Sequence, residues 1–109
     1  MNLSKLAAGI REAHEHVPLA DVNDHRVILA VNEKPYPWHE HPNSDELFLV
    51  VEGILRLELA DGKRVDLQPL DTYLVPGGTV HRTIPLGRCV NLVFQRAGTE
   101  TRFAEEAES

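Results

Sequence analysis

Two histidines separated by a single residue are the most chemically suggestive feature of the sequence. His39 and His41 flank Glu40, and in a β-strand the side chains at positions i and i+2 point to the same face. Their Cα atoms would lie about 6.5–7 Å apart in a strand. Both rings could then reach one ion at metal–nitrogen distances of about 2.0–2.2 Å. This segment therefore predicts half of a metal site.

A carboxylate and a third histidine could complete this site. Glu46 directly precedes the apolar run 47–51, so its carboxylate opens a strand that is predicted to be buried. An unpaired buried carboxylate is costly, and a bound cation removes that cost. His81 follows Pro76-Gly77-Gly78 and opens another predicted strand. The predicted ligands of one divalent metal ion are His39, His41, Glu46 and His81.

Three imidazole nitrogens and one carboxylate oxygen suit several ions, and the sequence does not choose among Fe²⁺, Mn²⁺, Ni²⁺, Co²⁺ and Zn²⁺. An ion with five or six ligands would keep one or two positions open for water, dioxygen or a substrate oxygen. Glu46 could instead lie outside the coordination sphere and relay a proton. It is therefore both a predicted ligand and a possible catalytic residue.

Short strands are predicted to position these residues. Apolar runs and alternating segments are separated by turn-forming pairs such as Asn23-Asp24 and Asp61-Gly62. Eight or so strands at this spacing favour a closed barrel or a sandwich. The clearest predicted strands are 27–31, 47–51, 54–59, 64–67, 72–75, 79–84 and 89–95.

The first residues show a different periodicity. Apolar residues recur at steps of three and four from Leu3 to Val17, which predicts a helix over Leu3 to His16 with Asn2 or Ser4 as its N-cap. Pro18 would end this helix. The triplet His14-Glu15-His16 would then lie on a helix, where i and i+2 side chains point apart, and we expect it to be solvated surface.

Composition excludes some classes of function. The 109 residues allow one domain, and a net charge of −6 without any basic run argues against nucleic-acid binding. A single cysteine, Cys89, excludes an internal disulfide and is expected to be a buried, inert thiol. The N-terminus is too polar for a secretory signal or a membrane span, so the expected location is the cytoplasm, with no membrane partner.

The ligand spacing resembles two motifs of the cupin family. The first motif is His-x-His, three or four residues, Glu, six residues, Gly, and it is met by His39, His41, Glu46 and Gly53. The second contains Pro-x-Gly-x-x-His, which is met by Pro76, Gly78 and His81. The resemblance covers about residues 25 to 96. Three flanking positions depart from the motifs, namely Glu33, Leu70 and Pro85.

The resemblance to a single-domain cupin implies an all-β fold. This fold is a double-stranded β-helix, or jelly-roll, barrel with one metal ion inside its mouth, and frequent dimerisation implies a homodimer. We therefore predict a short N-terminal helical segment (1–17), a cupin barrel domain (18–96) and an acidic, flexible C-terminal tail (97–109).

A small molecule is the expected partner of such a site. Because the barrel alone does not define a reaction, oxygenase, isomerase and lyase chemistry all stay open. The alternative is a non-catalytic binding or sensing module. Arg56 and Arg82 are expected to point outward from their strands rather than to bind substrate. The predicted pocket-wall residues are Trp38, Phe48, Tyr73 and Phe94.

Overall fold

The computed structural model describes residues 1–104 as one short helix and eight β-strands. The all-β expectation is therefore confirmed. Within these residues no helix is long and apolar enough to cross a membrane. The elements are α1 (Leu3–Ala8), β1 (His14–Val22), β2 (His25–Asn32), β3 (Tyr36–Glu40), β4 (Glu46–Leu59), β5 (Arg64–Leu67), β6 (Thr72–Val75), β7 (His81–Arg96) and β8 (Arg102–Phe103).

All strand pairs are antiparallel, and two long strands organise the sheet. One path runs β1-β2-β7-β3-β8, while β4 pairs with β5, β6 and β7. The turn predicted at Asn23-Asp24 joins β1 to β2, because Val22 pairs directly with His25. The predicted turn around Asp61-Gly62 likewise joins β4 to β5. The sequence thus located these hairpins correctly.

Strands β4 and β7 each merge two predicted strands. Gly53 lies inside β4 with φ of +78°, where the register with β7 shifts. Gly87 lies inside β7 with φ of +82°, so residues 85–88, which separate the predicted strands 79–84 and 89–95, are part of one strand. Both long strands therefore change direction at a glycine instead of ending there, which lets each take part in two regions of the barrel.

The N-terminal helix is shorter than predicted. It ends at Ala8, and Gly9 is its C-cap, while Asn2 is the N-cap and accepts a hydrogen bond from the Lys5 backbone N–H. The prediction of helix through His16 was wrong because β1 begins at His14 and pairs with β2 along its whole length. The hydrogen bonds between β1 and β2 outweigh the helical spacing of apolar residues, which continues past Ala8 by coincidence. Pro18 is accommodated at a register shift in this strand.

The C-terminal segment is also more structured than predicted. Residues 97–109 were expected to be a flexible tail, yet Arg102–Phe103 form β8 and pair with His39 and Glu40 of β3. This first part of the segment therefore completes one side of the barrel. Residues 105–109, which carry the acidic end of the predicted tail, lie outside the described residues.

The apolar core has two parts because the strands alternate. One cluster fills the barrel, and the other lies between helix α1 and the outer face of β2 and β7. In β2, for example, Leu29 and Val31 face the helix cluster, while Ile28 and Ala30 face the barrel interior. The barrel cluster comprises Phe48, Val50, Leu55, Leu57, Leu67, Val75, Cys89 and Val93.

Candidate metal centre

The four predicted ligands lie on or directly beside three strands that meet in the barrel. His39 is near the end of β3, and it pairs with His81, the first residue of β7. His41 lies one residue beyond β3, and Glu46 is the first residue of β4. All four side chains are buried, and His81 is completely inaccessible to solvent. The short connection between β3 and β4 therefore brings both halves of the first motif against the second.

Each imidazole is fixed by a backbone carbonyl. Nδ1 of His39 donates to the Pro37 oxygen (2.7 Å), Nδ1 of His41 to the Glu100 oxygen (2.9 Å) and Nδ1 of His81 to the Thr79 oxygen (2.8 Å). A carbonyl oxygen only accepts hydrogen bonds, so each Nδ1 must carry a hydrogen. In the neutral ring Nε2 is then left with a lone pair, and this is the form that binds a metal.

The remaining donor atoms converge on one point. One ligand atom from each of His39, His41, Glu46 and His81 lies within 4.8 Å of the others. Oε1 of Glu46 is 3.1 Å from Nε2 of His81 and 3.2 Å from Nε2 of His41. Nε2 of His41 is nevertheless buried without a hydrogen bond in the described part of the chain. Lone pairs that face a carboxylate require a cation or added protons between them, so this set could hold a metal ion.

The charges of the metal-free set follow from burial and proximity. Burial raises the pKa of Glu46, but contacts with His41 and His81 outweigh burial and hold it at about 2. Burial lowers the pKa of His41, but the Glu46 carboxylate outweighs burial and leaves the pKa raised. Burial, followed by the neighbouring His81, lowers the pKa of His39 to about 4. Glu46 is therefore ionised at neutral pH, as a metal ligand must be.

A cavity of about 110 Å³ opens beside these donors. It is lined by apolar residues of β2, β4 and β7 and by several uncharged polar side chains. Such a mixture is typical of small-molecule sites. The lining residues are His14, His16, Ile28, Ala30, Asn32, Tyr36, His39, His41, Glu46, Phe48, Leu55, Thr83, Asn91, Val93, Gln95 and Thr101.

The predicted pocket-wall aromatics have different locations. Phe48 lines the cavity, and its ring meets that of His81 at 82°. Trp38 is buried on the other face of β3, where the Arg82 guanidinium lies 4.8 Å from its ring in a separate groove. Tyr73 packs against the barrel cluster and Phe94 against the helix cluster. Of the four, the structure therefore places only Phe48 against the metal donors.

The structure also shows the surroundings of Arg56, Arg82 and Cys89, which the sequence analysis considered. Arg56 forms an ion pair with Asp66, and Arg82 pairs with Glu58 at 2.7 Å, so neither guanidinium lines the cavity. Burial raises the pKa of Cys89 to about 12. Its thiol therefore remains protonated, as expected of an inert buried cysteine.

Sequence reasoning missed the residues of β1 that line the cavity. His14 and His16 were assigned to a helical surface, but as i and i+2 residues of a strand they share a face and both reach the cavity. Their ring centroids are 4.6 Å apart, and His14 stacks on Tyr36 at 5.4 Å. The i, i+2 spacing that places His39 and His41 on one face of a strand places His14 and His16 on one face as well, but it applies only to a strand and not to the predicted helix.

The fold and the site together define a cupin. The family model for the cupin domain matches residues 25–93, so the chain belongs to the cupin family. The expected fold class, a double-stranded β-helix barrel, is confirmed by this match and by the solved structures that the chain resembles.

Sequence and structure comparisons also identify individual relatives. The chain is 44% identical over 105 residues to the uncharacterized protein YdbB of Bacillus subtilis strain 168, covering 96% of this chain and 93% of that protein. A cupin-2 domain protein from Shewanella frigidimarina matches with a TM-score of 0.82 and 26% identity, over 88% of this chain and 93% of that one.

The chain is also similar to a solved structure that is described as one of the DMSP lyases RdDddP and RnDddQII. It matches with a TM-score of 0.68 and 27% identity, over 77% of this chain but only 46% of that chain. The present chain thus spans about half of that longer protein.

Proposed function

We propose that this chain binds one divalent transition-metal ion through His39, His41, Glu46 and His81. The ion would use its open positions to bind an oxygen-bearing small molecule in the adjacent cavity. One observation carries the proposal: three imidazoles, each anchored through Nδ1 to a backbone carbonyl, present Nε2 to a buried carboxylate at a cavity wall. The bound ion would supply Lewis-acid polarisation of a ligand oxygen.

Glu46 is better suited to ligate the ion than to donate a proton. Its pKa of about 2 makes it a carboxylate at any physiological pH. Oε1 is already directed at Nε2 of both His41 and His81. Its negative charge would also reduce the charge of a divalent site to +1, which lowers the cost of burying the ion. These features support the first of its two predicted roles.

Tyr36 is the side chain best placed to assist chemistry. It lines the cavity, and its ring meets the His39 ring edge-on with centroids 4.9 Å apart. Burial, followed by the charge of Glu46, raises its pKa. The phenol therefore keeps its proton at neutral pH and can donate a hydrogen bond to a ligand oxygen beside the metal donors.

Lyase or isomerase chemistry is the reaction class that we propose to test first. The similarity to a structure of the DMSP lyases supports it. Oxygenase chemistry is distinguished from it by oxygen consumption. The assay incubates metal-loaded protein with small hydroxy- and oxo-carboxylates and follows substrate loss and dissolved oxygen together. Substrate loss without oxygen uptake supports the proposed class, and stoichiometric oxygen uptake contradicts it.

A non-catalytic binding or sensing module is the alternative, and one observation favours it. Among residues 1–104, Glu46 is the only carboxylate that lines the cavity, so the site has no separate carboxylate base. A module of this kind would bind ligands at the loaded metal without any turnover. Absence of product with every compound that binds would favour this alternative.

Metal binding itself is tested by elemental analysis. Protein expressed without a histidine tag and purified without added metal is compared with His41→Ala and with the control His25→Ala. His25 is the exposed first residue of β2, directly after the β1–β2 turn, and it pairs with Asp24. We expect near one equivalent of metal in the wild type and the control, and much less in His41→Ala. No metal in the wild type, even after incubation with Fe²⁺, Mn²⁺, Ni²⁺, Co²⁺ and Zn²⁺, would refute the proposal.

A homodimer, which the resemblance implies, and a cytoplasmic location are retained as part of this proposal. The dimer is tested by light scattering coupled to size-exclusion chromatography. A monomer at micromolar concentration would contradict it.

A further inference from the structure

The cavity contains a second pair of imidazoles that the metal centre does not use. His14 and His16 lie on one face of β1, and through Tyr36 they form a continuous row of rings that reaches His39. His16 is exposed at the cavity mouth, and His14 is half-buried. The row therefore extends from the metal donors towards solvent along one wall.

These two rings differ from the metal donors in their hydrogen bonding. The rings of His39, His41 and His81 are each held by a backbone carbonyl. Within residues 1–104, neither ring of the His14–His16 pair forms a hydrogen bond with the protein. Each neutral imidazole has one donor and one acceptor nitrogen. The pair therefore offers free hydrogen-bonding groups to a molecule that occupies the cavity.

The charges around the cavity restrict what can occupy it. With a divalent ion and the Glu46 carboxylate, the site has a net charge of +1 (2 − 1). Among residues 1–104, no lysine or arginine lines the cavity. The nearby Arg82 is directed into a separate groove, where it pairs with Glu58. One anionic group on a ligand would be compensated by the metal site, whereas a second would be desolvated without a partner.

The cavity also restricts the size of the ligand. A volume of about 110 Å³ corresponds to about seven to eleven water molecules, at about 10–15 Å³ for each. Its apolar part, formed by Ile28, Phe48, Leu55 and Val93, suits a short carbon chain. The uncharged polar groups suit hydroxyl or carbonyl substituents.

From these observations we propose that the cavity binds a small monoanion, a carboxylate or enolate of about ten non-hydrogen atoms or fewer. The anionic oxygen would bind the metal, and His14 and His16 would recognise an uncharged hydroxyl or carbonyl group of the same molecule. This assigns both histidines as specificity-determining residues. The inference rests on the proposed metal site.

The test uses three four-carbon acids with protein loaded with Co²⁺, whose loading is verified by elemental analysis. 4-Hydroxybutanoate, butanoate and butanedioate are each titrated by calorimetry and by the visible absorption of the ion. We expect 4-hydroxybutanoate to bind about three- to tenfold more tightly than butanoate, the effect of one hydrogen bond. Butanedioate should bind more weakly than 4-hydroxybutanoate, because its second carboxylate has no cation to pair with.

The matched variant is the double substitution His14→Phe and His16→Phe, which keeps two rings in the row but removes their hydrogen-bonding nitrogens. It should bind Co²⁺ at the wild-type stoichiometry and bind butanoate as the wild type does, while the preference for 4-hydroxybutanoate disappears. His25→Phe, at an exposed position outside the cavity, should keep the preference.

The outcomes separate this inference from the metal proposal. If Co²⁺ binds but none of the acids does, if butanedioate binds as tightly as 4-hydroxybutanoate, or if the preference survives in the double variant, the ligand assignment is wrong and the metal site stands. If Co²⁺ does not bind to the wild type, the proposed function fails and this inference fails with it.

Discussion

At the scale of single residues, the Nδ1 hydrogen bonds of the three histidines decide which nitrogen is available to a metal. The sequence shows imidazoles, but it does not show which ring nitrogen faces the others. In the structure, the oxygens of Pro37, Thr79 and Glu100 accept from Nδ1, and Nε2 is left for a ligand bond. Two of these carbonyls belong to residues two positions before the histidine, so local chain geometry alone supplies them.

Glu46→Gln tests whether the carboxylate is a ligand. The substitution keeps the shape of the side chain but removes its charge and replaces one oxygen by a donor. We expect metal affinity to fall by at least about tenfold, as measured by competition with a chromophoric chelator. Glu40→Gln is the control, because Glu40 does not line the cavity. Equal affinities in the two variants would show that Glu46 does not contribute to the site.

Acidification should release the metal through the histidines. Protons compete with the ion for Nε2, so affinity is retained at high pH and lost as the pH falls. Because the pKa of His41 is raised from 6.5, competition should begin above that value. Glu46, with a pKa of about 2, stays ionised throughout. Metal content after dialysis at a series of pH values measures the release of the ion. Full retention at pH 4 would indicate other ligands.

At the scale of elements, the site depends on segments distant in sequence from its ligands. His41 lies one residue past β3, and its anchoring carbonyl belongs to Glu100, which precedes β8. Asn43 holds this C-terminal segment: its side chain donates to the Gly98 oxygen at 3.0 Å and accepts from the Glu100 N–H at 2.8 Å. The loop between β3 and β4 thus orients a ligand by binding residues 98–100.

Asn43→Ala tests this coupling. It removes no ligand, but it frees the segment whose carbonyl orients His41, so we expect metal affinity to fall by about tenfold. Asn2→Ala is the matched control, since it removes the N-cap of α1 and should lower stability by about 1 kcal/mol without changing metal affinity. Calorimetric titration gives the affinity, and urea unfolding gives the stability. Unchanged affinity in Asn43→Ala would refute the coupling.

Because β4 bends at Gly53, we expect a substitution at this position to lower the stability of the fold. A Cβ added there would clash with the Arg88 backbone oxygen, and φ is +78°. Gly62 has φ of +94° but no neighbour within 4 Å, so Gly62→Ala isolates the backbone strain, about 1–2 kcal/mol. Gly53→Ala should cost more than Gly62→Ala, by about 2 kcal/mol or more, in the free energy of unfolding. Equal costs would show that the contact with Arg88 is relieved easily.

At the scale of the whole molecule, the barrel does not depend on the metal for its apolar core. One cluster fills the barrel below the site, and a second attaches helix α1 to the outside of the sheet. Arg88 strengthens this attachment by donating to the Ala7 and Ile10 oxygens at 2.8 and 3.0 Å. The metal-free protein should therefore fold.

Metal binding should nevertheless raise the melting temperature. A ligand at 100 times its Kd adds about 2.7 kcal/mol, and 1 kcal/mol shifts Tm by about 4–8 °C in a domain near 100 residues. We therefore expect a rise of about 10 °C or more on saturation with Ni²⁺ or Zn²⁺, measured by scanning calorimetry. His41→Ala should fold and show little or none of this rise. The same rise in that variant would place the bound metal elsewhere.

The sequence alone determined those features that depend on neighbouring residues. The spacing of His39, His41 and Glu46 identified one half of the site, and Pro76, Gly78 and His81 identified the other. The hairpin at Asn23-Asp24 was also predicted, and Asn2 was one of the two candidate caps, because a turn or a cap is formed by residues within a few positions of one another. The family motifs placed the two halves of the site in one barrel.

The tertiary structure decided the features that depend on distant strands. A helical spacing continued by coincidence into His14-Glu15-His16, and only pairing with β2 shows that this segment is a strand with two histidines on its cavity face. The pairing of Arg102–Phe103 with β3 likewise brings the Glu100 carbonyl to His41. Local periodicity does not encode which strand a segment will pair with, and this pairing determines which side chains surround the metal donors.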